Sequence, residues 1–132
     1  MAAGTKKSAS TPCTPAILDE PTGKAVDASM FLSRAASMLW TATRASPDLR
    51  FAASVLMQRA AAPLESDMGH LERVEQYLYG TQDLALVIQP ESLVLSAHVD
   101  AAYAVHPNGR SHQGCALFWA EHLSWRAVSS RS

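Results

Sequence analysis

Cysteine is scarce in this chain: Cys13 and Cys115 lie far apart and form no C-x-x-C pair, so neither a disulfide framework nor a thiolate zinc site is encoded. Basic residues are equally thin. Eleven Lys plus Arg against twelve Asp plus Glu give a net charge of -1, and no basic block exceeds Lys6-Lys7, which excludes a dominant electrostatic grip on nucleic acid. Long apolar runs are missing too. The longest stretch of large apolar residues is Leu84 to Ile88, and the N-terminus lacks a basic-then-apolar signal pattern, so nothing predicts a membrane span or secretion. The expectation is a soluble intracellular protein, cytoplasmic or nuclear, with no membrane partner. No glycine-rich phosphate loop and no nucleophile elbow occur, so nucleotide hydrolysis and a serine or cysteine nucleophile find no support. What is present is 132 residues, 48% of them apolar, enough for one modest domain. Alanine supplies 23 of those apolar positions, which favours closely packed helices.

Residues 1 to 26 hold Thr5, Ser8, Ser10, Thr11, Pro12, Thr14, Pro15, Pro21 and Gly23, which break any regular period and predict a flexible tether. From Asp27 an apolar stripe begins. Phe31, Ala35, Met38, Leu39 and Ala42 share one face of a helix over about 28 to 43 that Asp27 can cap. Ser46-Pro47-Asp48 opens a second helix with the stripe Leu49, Ala52, Ala53, Leu56 and Ala60, ending before Pro63. Leu64, Met68, Leu71, Val74 and Leu78 mark a third, with Gly80 at its C-terminal stop. Beyond it the period shortens. Leu84 to Ile88 and Leu93 to Val99 read as strands, and the second puts Val94, Ser96, His98 and Asp100 on one face, with Asp100 at its end. Cys115 to Ala120 and Leu123 to Val128 predict a hairpin turning at Glu121-His122. The order is α+β: three helices over 27–82, then an incomplete mixed or antiparallel sheet over 83–132.

Val99-Asp100-Ala101-Ala102 is the sharpest local feature, because an aspartate after a strand, followed by small residues, can hold a divalent cation beside a phosphate. A capping or turn aspartate reads the same way. Two-metal cleavage needs several carboxylates around cations about 4 Å apart, and Glu121, placed in the predicted turn, is no partner. His98, His106, His112 and His122 with Cys115 include the ligand-like interval His112-x-x-Cys115, but their irregular spacing fits surface groups better than zinc. Arg110, Arg126 and Arg131, interleaved with Tyr103 and Trp125, are the residue types that meet phosphates and stack on bases. They fit solvated charges around a small sheet equally well.

Several segments in series resemble the polyprotein of copia-type retrotransposons, in the stretch joining reverse transcriptase to ribonuclease H. Thr43-Arg44 with Pro47-Asp48 and Ala52 to Leu56 resembles the family's Arg-Pro-Asp helix start, with Ala45-Ser46 inserted. Leu71 to Leu84, through Tyr77-Leu78-Tyr79-Gly80-Thr81-Gln82-Asp83-Leu84, is similar to the family's helix ending Tyr-Leu and its Gly-Thr-x-Asp-Leu. Val99 to Gly114 resembles the opening of the ribonuclease H module and is the most specific segment. The match runs along about 100 residues.

The resemblance implies that Asp100 is the first metal-binding aspartate of a ribonuclease H fold, and that Arg110, Ser111 and Gly114 form the family's Arg/Lys-Ser-x-x-Gly turn. It implies Mg2+ or Mn2+ as cofactor, an RNA–DNA hybrid as substrate, and RNA cleavage during reverse transcription as the activity. The family's Ser-Ser-Thr-Glu-Ala-Glu-like helix, its later aspartate and the polymerase Tyr-x-Asp-Asp have no counterpart up to Ser132. The expectation is therefore a catalytically incomplete piece of a polyprotein that does not hold its metal stably. The alternative is a non-catalytic interaction module whose helices, or open sheet edge with Leu117, Trp119, Leu123 and Trp125, dock a partner.

Overall fold

The computed structural model describes residues 8–87, 94–104, 109, 111–119 and 124–127. The fold is α+β, with helices α1 (Ala28–Arg44), α2 (Arg50–Arg59) and α3 (Glu65–Gly80) followed by strands β1 (Leu84–Val87), β2 (Leu95–Ala102), β3 (His112–Trp119) and β4 (Ser124–Ala127). It divides into two compact units, one ending at Gln82 and the other beginning at Asp83.

In the helical unit each stripe read from the sequence faces the core. Asp27 caps α1 by accepting the Ser29 and Met30 N–H groups at 2.8 and 3.0 Å, satisfying two of the donors a helix start leaves open. Phe31, Ala35 and Ala42 of α1 are buried with Leu49, Ala52, Ala53, Val55, Leu56, Leu71 and Val74. Small alanines on α1 and α2 let the two axes approach. Pro47 does not start α2 directly, because Pro47–Leu49 form a 3-10 turn and the α-helix begins at Arg50. Gly80 is the last residue of α3 rather than a left-handed stop. Thr81 closes the end instead: its N–H and its hydroxyl both donate to the Tyr77 carbonyl, at 3.0 and 2.9 Å. What requires glycine at position 80 is a close approach, since a Cβ there would lie 2.7 Å from the Ser8 Cβ.

The tether expected over 1–26 does not describe residues 8–26, which lie as a strap against the helices. A 3-10 turn at Pro15–Leu18 buries Ile17, so one large aliphatic side chain anchors the segment. Further along, Thr22 to Val26 run antiparallel to the start of α3, with Val26 N–H donating to the Pro63 carbonyl and the Glu65 and Ser66 N–H groups donating to those of Lys24 and Thr22. Gly23, at φ +98°, makes this possible, because a Cβ there would meet the Glu65 Cβ at 2.7 Å.

In the second unit β2 and β3 form one antiparallel pair, and β1 and β4 another. The hairpin expected between Cys115–Ala120 and Leu123–Val128 is corrected by this pairing: β3 joins β2, and β4 joins β1, with Leu84 opposite Ala127. The turn expected at Glu121-His122 lies outside the described residues. Among the described residues no helix is long and apolar enough to cross a membrane.

Candidate functional site

Asp100 sits inside β2 rather than at its end, because the strand continues to Ala102. Its register partner is Gly114. Directly opposed residues share a face, so positions 96, 98, 100 and 102 lie with 112, 114, 116 and 118. That confirms the face expected for Ser96, His98 and Asp100. Asp100 and His98 are both exposed, and among the described residues no atom beyond its chain neighbours lies within 4 Å of a Cβ built on Gly114, the position opposite Asp100.

Gly114 belongs to β3 and not to the turn, since β3 already begins at His112. The reversal between β2 and β3 instead includes Ala104 at φ 53° and Gly109 at φ +73°, the left-handed geometry that tight reversals need. Ser111 sits beside it, its Oγ accepting the Ala104 N–H at 3.3 Å. Arg110 lies outside the described residues, as do His106, Glu121, His122, Leu123 and Arg131. His112 and Cys115, an odd offset apart on one strand, occupy positions on opposite faces of β3. Among the described residues no group of three or more His, Cys, Asp or Glu is placed to hold a metal ion.

This donor set is a poor fit to a resident Mg2+. A hard cation takes six oxygens and is held by carboxylates, whereas Asp100 has Ser96, His98 and Ala102 as its same-face neighbours along β2. One exposed carboxylate attracts a divalent cation through water, where the Coulomb energy at 4 Å is about 2 kcal/mol, twice the unit-charge value.

The opposite face is largely apolar, with Gln113 at one end. Leu95, Ala97 and Val99 lie there with Leu117 and Cys115, and Leu95, Val99 and Leu117 are 63%, 74% and 61% exposed.

The helical unit carries polar groups that sequence spacing did not single out. Asp67 is fully buried and pairs with Arg59, Nη1 to Oδ1 2.9 Å. Its other oxygen accepts the Leu64 N–H at 2.9 Å, and the second Arg59 nitrogen donates to the Asp19 carbonyl at 2.9 Å. Beside Arg59 opens a cavity of about 260 Å³ lined by Ala16, Asp19, Glu20, Thr22, Arg59, Ser66 and His70. Burial, with Arg59 adding to it, lowers the His70 pKa from its ordinary value, against weaker opposition from Asp67 and Asp19. Elsewhere Arg34 holds Glu75 with both branches of its fork, at 2.7 and 2.6 Å, and the Tyr77 hydroxyl donates to Asp48 at 2.5 Å. An acid at the third position of α3 was the one sequence signal for the buried pair.

Compared with protein-family models, curated proteins and solved structures, the chain matches none.

Proposed function

We propose that this chain is a segment of a copia-type reverse transcriptase and ribonuclease H polyprotein, in which 27–82 form the helical connection and β2 and β3 open the ribonuclease H sheet. The observation that carries the reading is the pairing of Asp100 with Gly114. The two positions that the motif match singles out on either side of its turn are opposed in one antiparallel pair. The end of α3 adds support, because the Tyr-Leu and Gly-Thr residues of the second matched segment include the groups that close that helix.

On this reading the segment supplies one carboxylate to a nuclease centre and does not cleave by itself. The 132-residue chain is expected to leave an RNA–DNA hybrid intact in Mg2+ or Mn2+, with Asp100→Asn indistinguishable from the parent. Joined to a copia-type continuation carrying the Thr-Glu-Ala-Glu-like helix and the later aspartate, it should cleave, and Asp100→Asn should abolish that cleavage. Cleavage by the chain alone that is lost in Asp100→Asn would overturn the incomplete-site reading. A joined protein indifferent to Asp100 would overturn the family reading.

The exposed face bearing Leu95, Val99 and Leu117 favours a second reading, an interaction module. Two strands at about 4.8 Å spacing present a strip about 10 Å wide, the width of one helix. The fitting occupant is an amphipathic helix from the remainder of such a polyprotein.

A further inference from the structure

We propose that Thr11 is a phosphorylation site for a proline-directed protein kinase, and that Arg73 of α3 receives the phosphate. The inference is independent of the retroelement reading. Thr11 is exposed, precedes Pro12, and lies in a stretch with neither helix nor strand, the state in which a chain can enter a kinase cleft. Two other Ser/Thr-Pro pairs exist. Thr14 and Ser46 are both partly buried, and neither side chain makes a capping hydrogen bond.

Thr11 differs from both in what faces its hydroxyl. The Arg73 Nη2 donates to Thr11 Oγ1 at 2.9 Å, so a guanidinium already touches the oxygen that would carry the phosphate. Among the described residues the buried Arg73 Nε has no hydrogen-bond partner, an uncommon state for a buried donor. A phosphate on Thr11 offers it an acceptor. Guanidinium and phosphate match as a two-pronged pair, and phosphorylation adds about -1.5 to -2 charges and three strong acceptor oxygens at neutral pH. Arg73 also acts on the neighbouring thiol, opposing the burial that raises the Cys13 pKa, which places its charge under residues 11 to 13 of the strap.

In the transfer, Thr11 Oγ1 attacks the γ-phosphorus of ATP, an O–P bond forms, and the bond to the β-phosphate oxygen breaks to release ADP. The hydroxyl proton passes to the kinase's base. The bond from the Thr11 hydroxyl to the Cys13 carbonyl, 3.1 Å, is lost with that proton and is replaced by contacts to Arg73. The product is a strap clamped harder onto α3.

The test uses the full chain, a proline-directed kinase and ATP, with phosphate located by peptide mass mapping and strap stability read by hydrogen exchange. Phosphate is expected on Thr11, slowing exchange of the Ile17 and Asp19 amides, which close the strap's 3-10 turn, by about fivefold, the scale of a partly exposed ion pair. Arg73→Gln should accept phosphate equally and show no slowing. Arg73→Lys, which keeps the charge and loses the fork, should show a smaller slowing and serves if Arg73→Gln does not fold. No phosphate at Thr11, preferential phosphate at Thr14 or Ser46, or slowing that persists in Arg73→Gln each overturns the proposal.

Discussion

Replacing Asp67 by asparagine tests the most heavily buried charge in the helical unit. Asp67 is completely inaccessible, and its Arg59 partner keeps 13% of its side-chain surface in water. Removing one member of a buried pair leaves an uncompensated charge and costs about 3–5 kcal/mol. The residual exposure of Arg59 puts the expected cost near the lower end, about 3 kcal/mol. Asparagine keeps an oxygen that can still accept the Leu64 N–H, so little of the capping contribution is lost. A unit of this size holds a total stability of about 4–12 kcal/mol at the usual per-residue value, so a quarter or more of it goes. The melting temperature of the helical signal should fall by about 12–24 °C. Urea unfolding followed by circular dichroism at 222 nm measures the loss, the wavelength reporting α-helix rather than strand. The double replacement Arg59→Met with Asp67→Leu should recover part of it, because apolar residues of similar volume often substitute for a buried pair at little cost, while the Leu64 N–H loses its Asp67 acceptor. A loss below about 1 kcal/mol for Asp67→Asn, the scale of an exposed pair, would refute the reasoning.

Two further outcomes concern titration. The His70 pKa is lowered on folding, so the unfolded chain binds the proton more readily and stability rises with pH across the window between the folded value and about 6.5. Below that window the stabilisation is lost; unfolding measured between pH 5 and 7.5 should show the slope, and His70→Gln should flatten it. The Tyr77 pKa is pushed up to about 12, chiefly by its hydrogen bond to Asp48 and then by burial. Absorbance titration should show one phenol ionising near that value in the folded chain, and Asp48→Asn should bring it down; an unchanged titration would show that the hydrogen bond is not its cause.

The helices were legible because their information is local. Asp27, Pro47 and Pro63 punctuate the chain, and the apolar residues between them recur at three and four positions, so Phe31, Ala35, Leu49, Leu56, Leu71 and Val74 could be placed inward without knowing what they meet. Strand faces were legible for the same reason, and Ser96, His98 and Asp100 do share one. Strand partners were not. A period of two says which side chains share a face and nothing about which strand lies alongside, so β3 and β4 could be read as each other's partners when they pair with β2 and β1. The strap was illegible for a related reason: its prolines and threonines do exclude an α-helix, yet one buried Ile17 and a few backbone bonds around the start of α3 hold it in place. The Arg59–Asp67 pair joins two helices across a proline-containing link, and only the acid near the start of α3 hinted at it.

Among the described residues the helical unit and the β2–β3 pair differ in how far each buries its apolar side chains, and that difference bears on what Asp100 can do. In the first, three helices and a strap enclose large side chains such as Phe31 and Leu56 completely. In the second, β2 and β3 form a two-stranded pair whose apolar residues Leu95, Val99 and Leu117 stay more than half exposed, and an isolated pair of strands is marginal in water. Asp100, on the other face, is exposed as well. A charge held among solvent-exposed neighbours acts through high dielectric, whereas metal-assisted hydrolysis depends on a dry cavity with fixed ligand geometry. For the proposed nuclease role, covering the apolar face and gathering further carboxylates around Asp100 would be one structural requirement, since elements that extend the pair and enclose both its faces would also lower the dielectric at the polar one. On the proposed reading, a nuclease role for Asp100 and a docking role for Leu95, Val99 and Leu117 then cease to be rivals: the β2–β3 pair would serve catalysis only after it had served assembly.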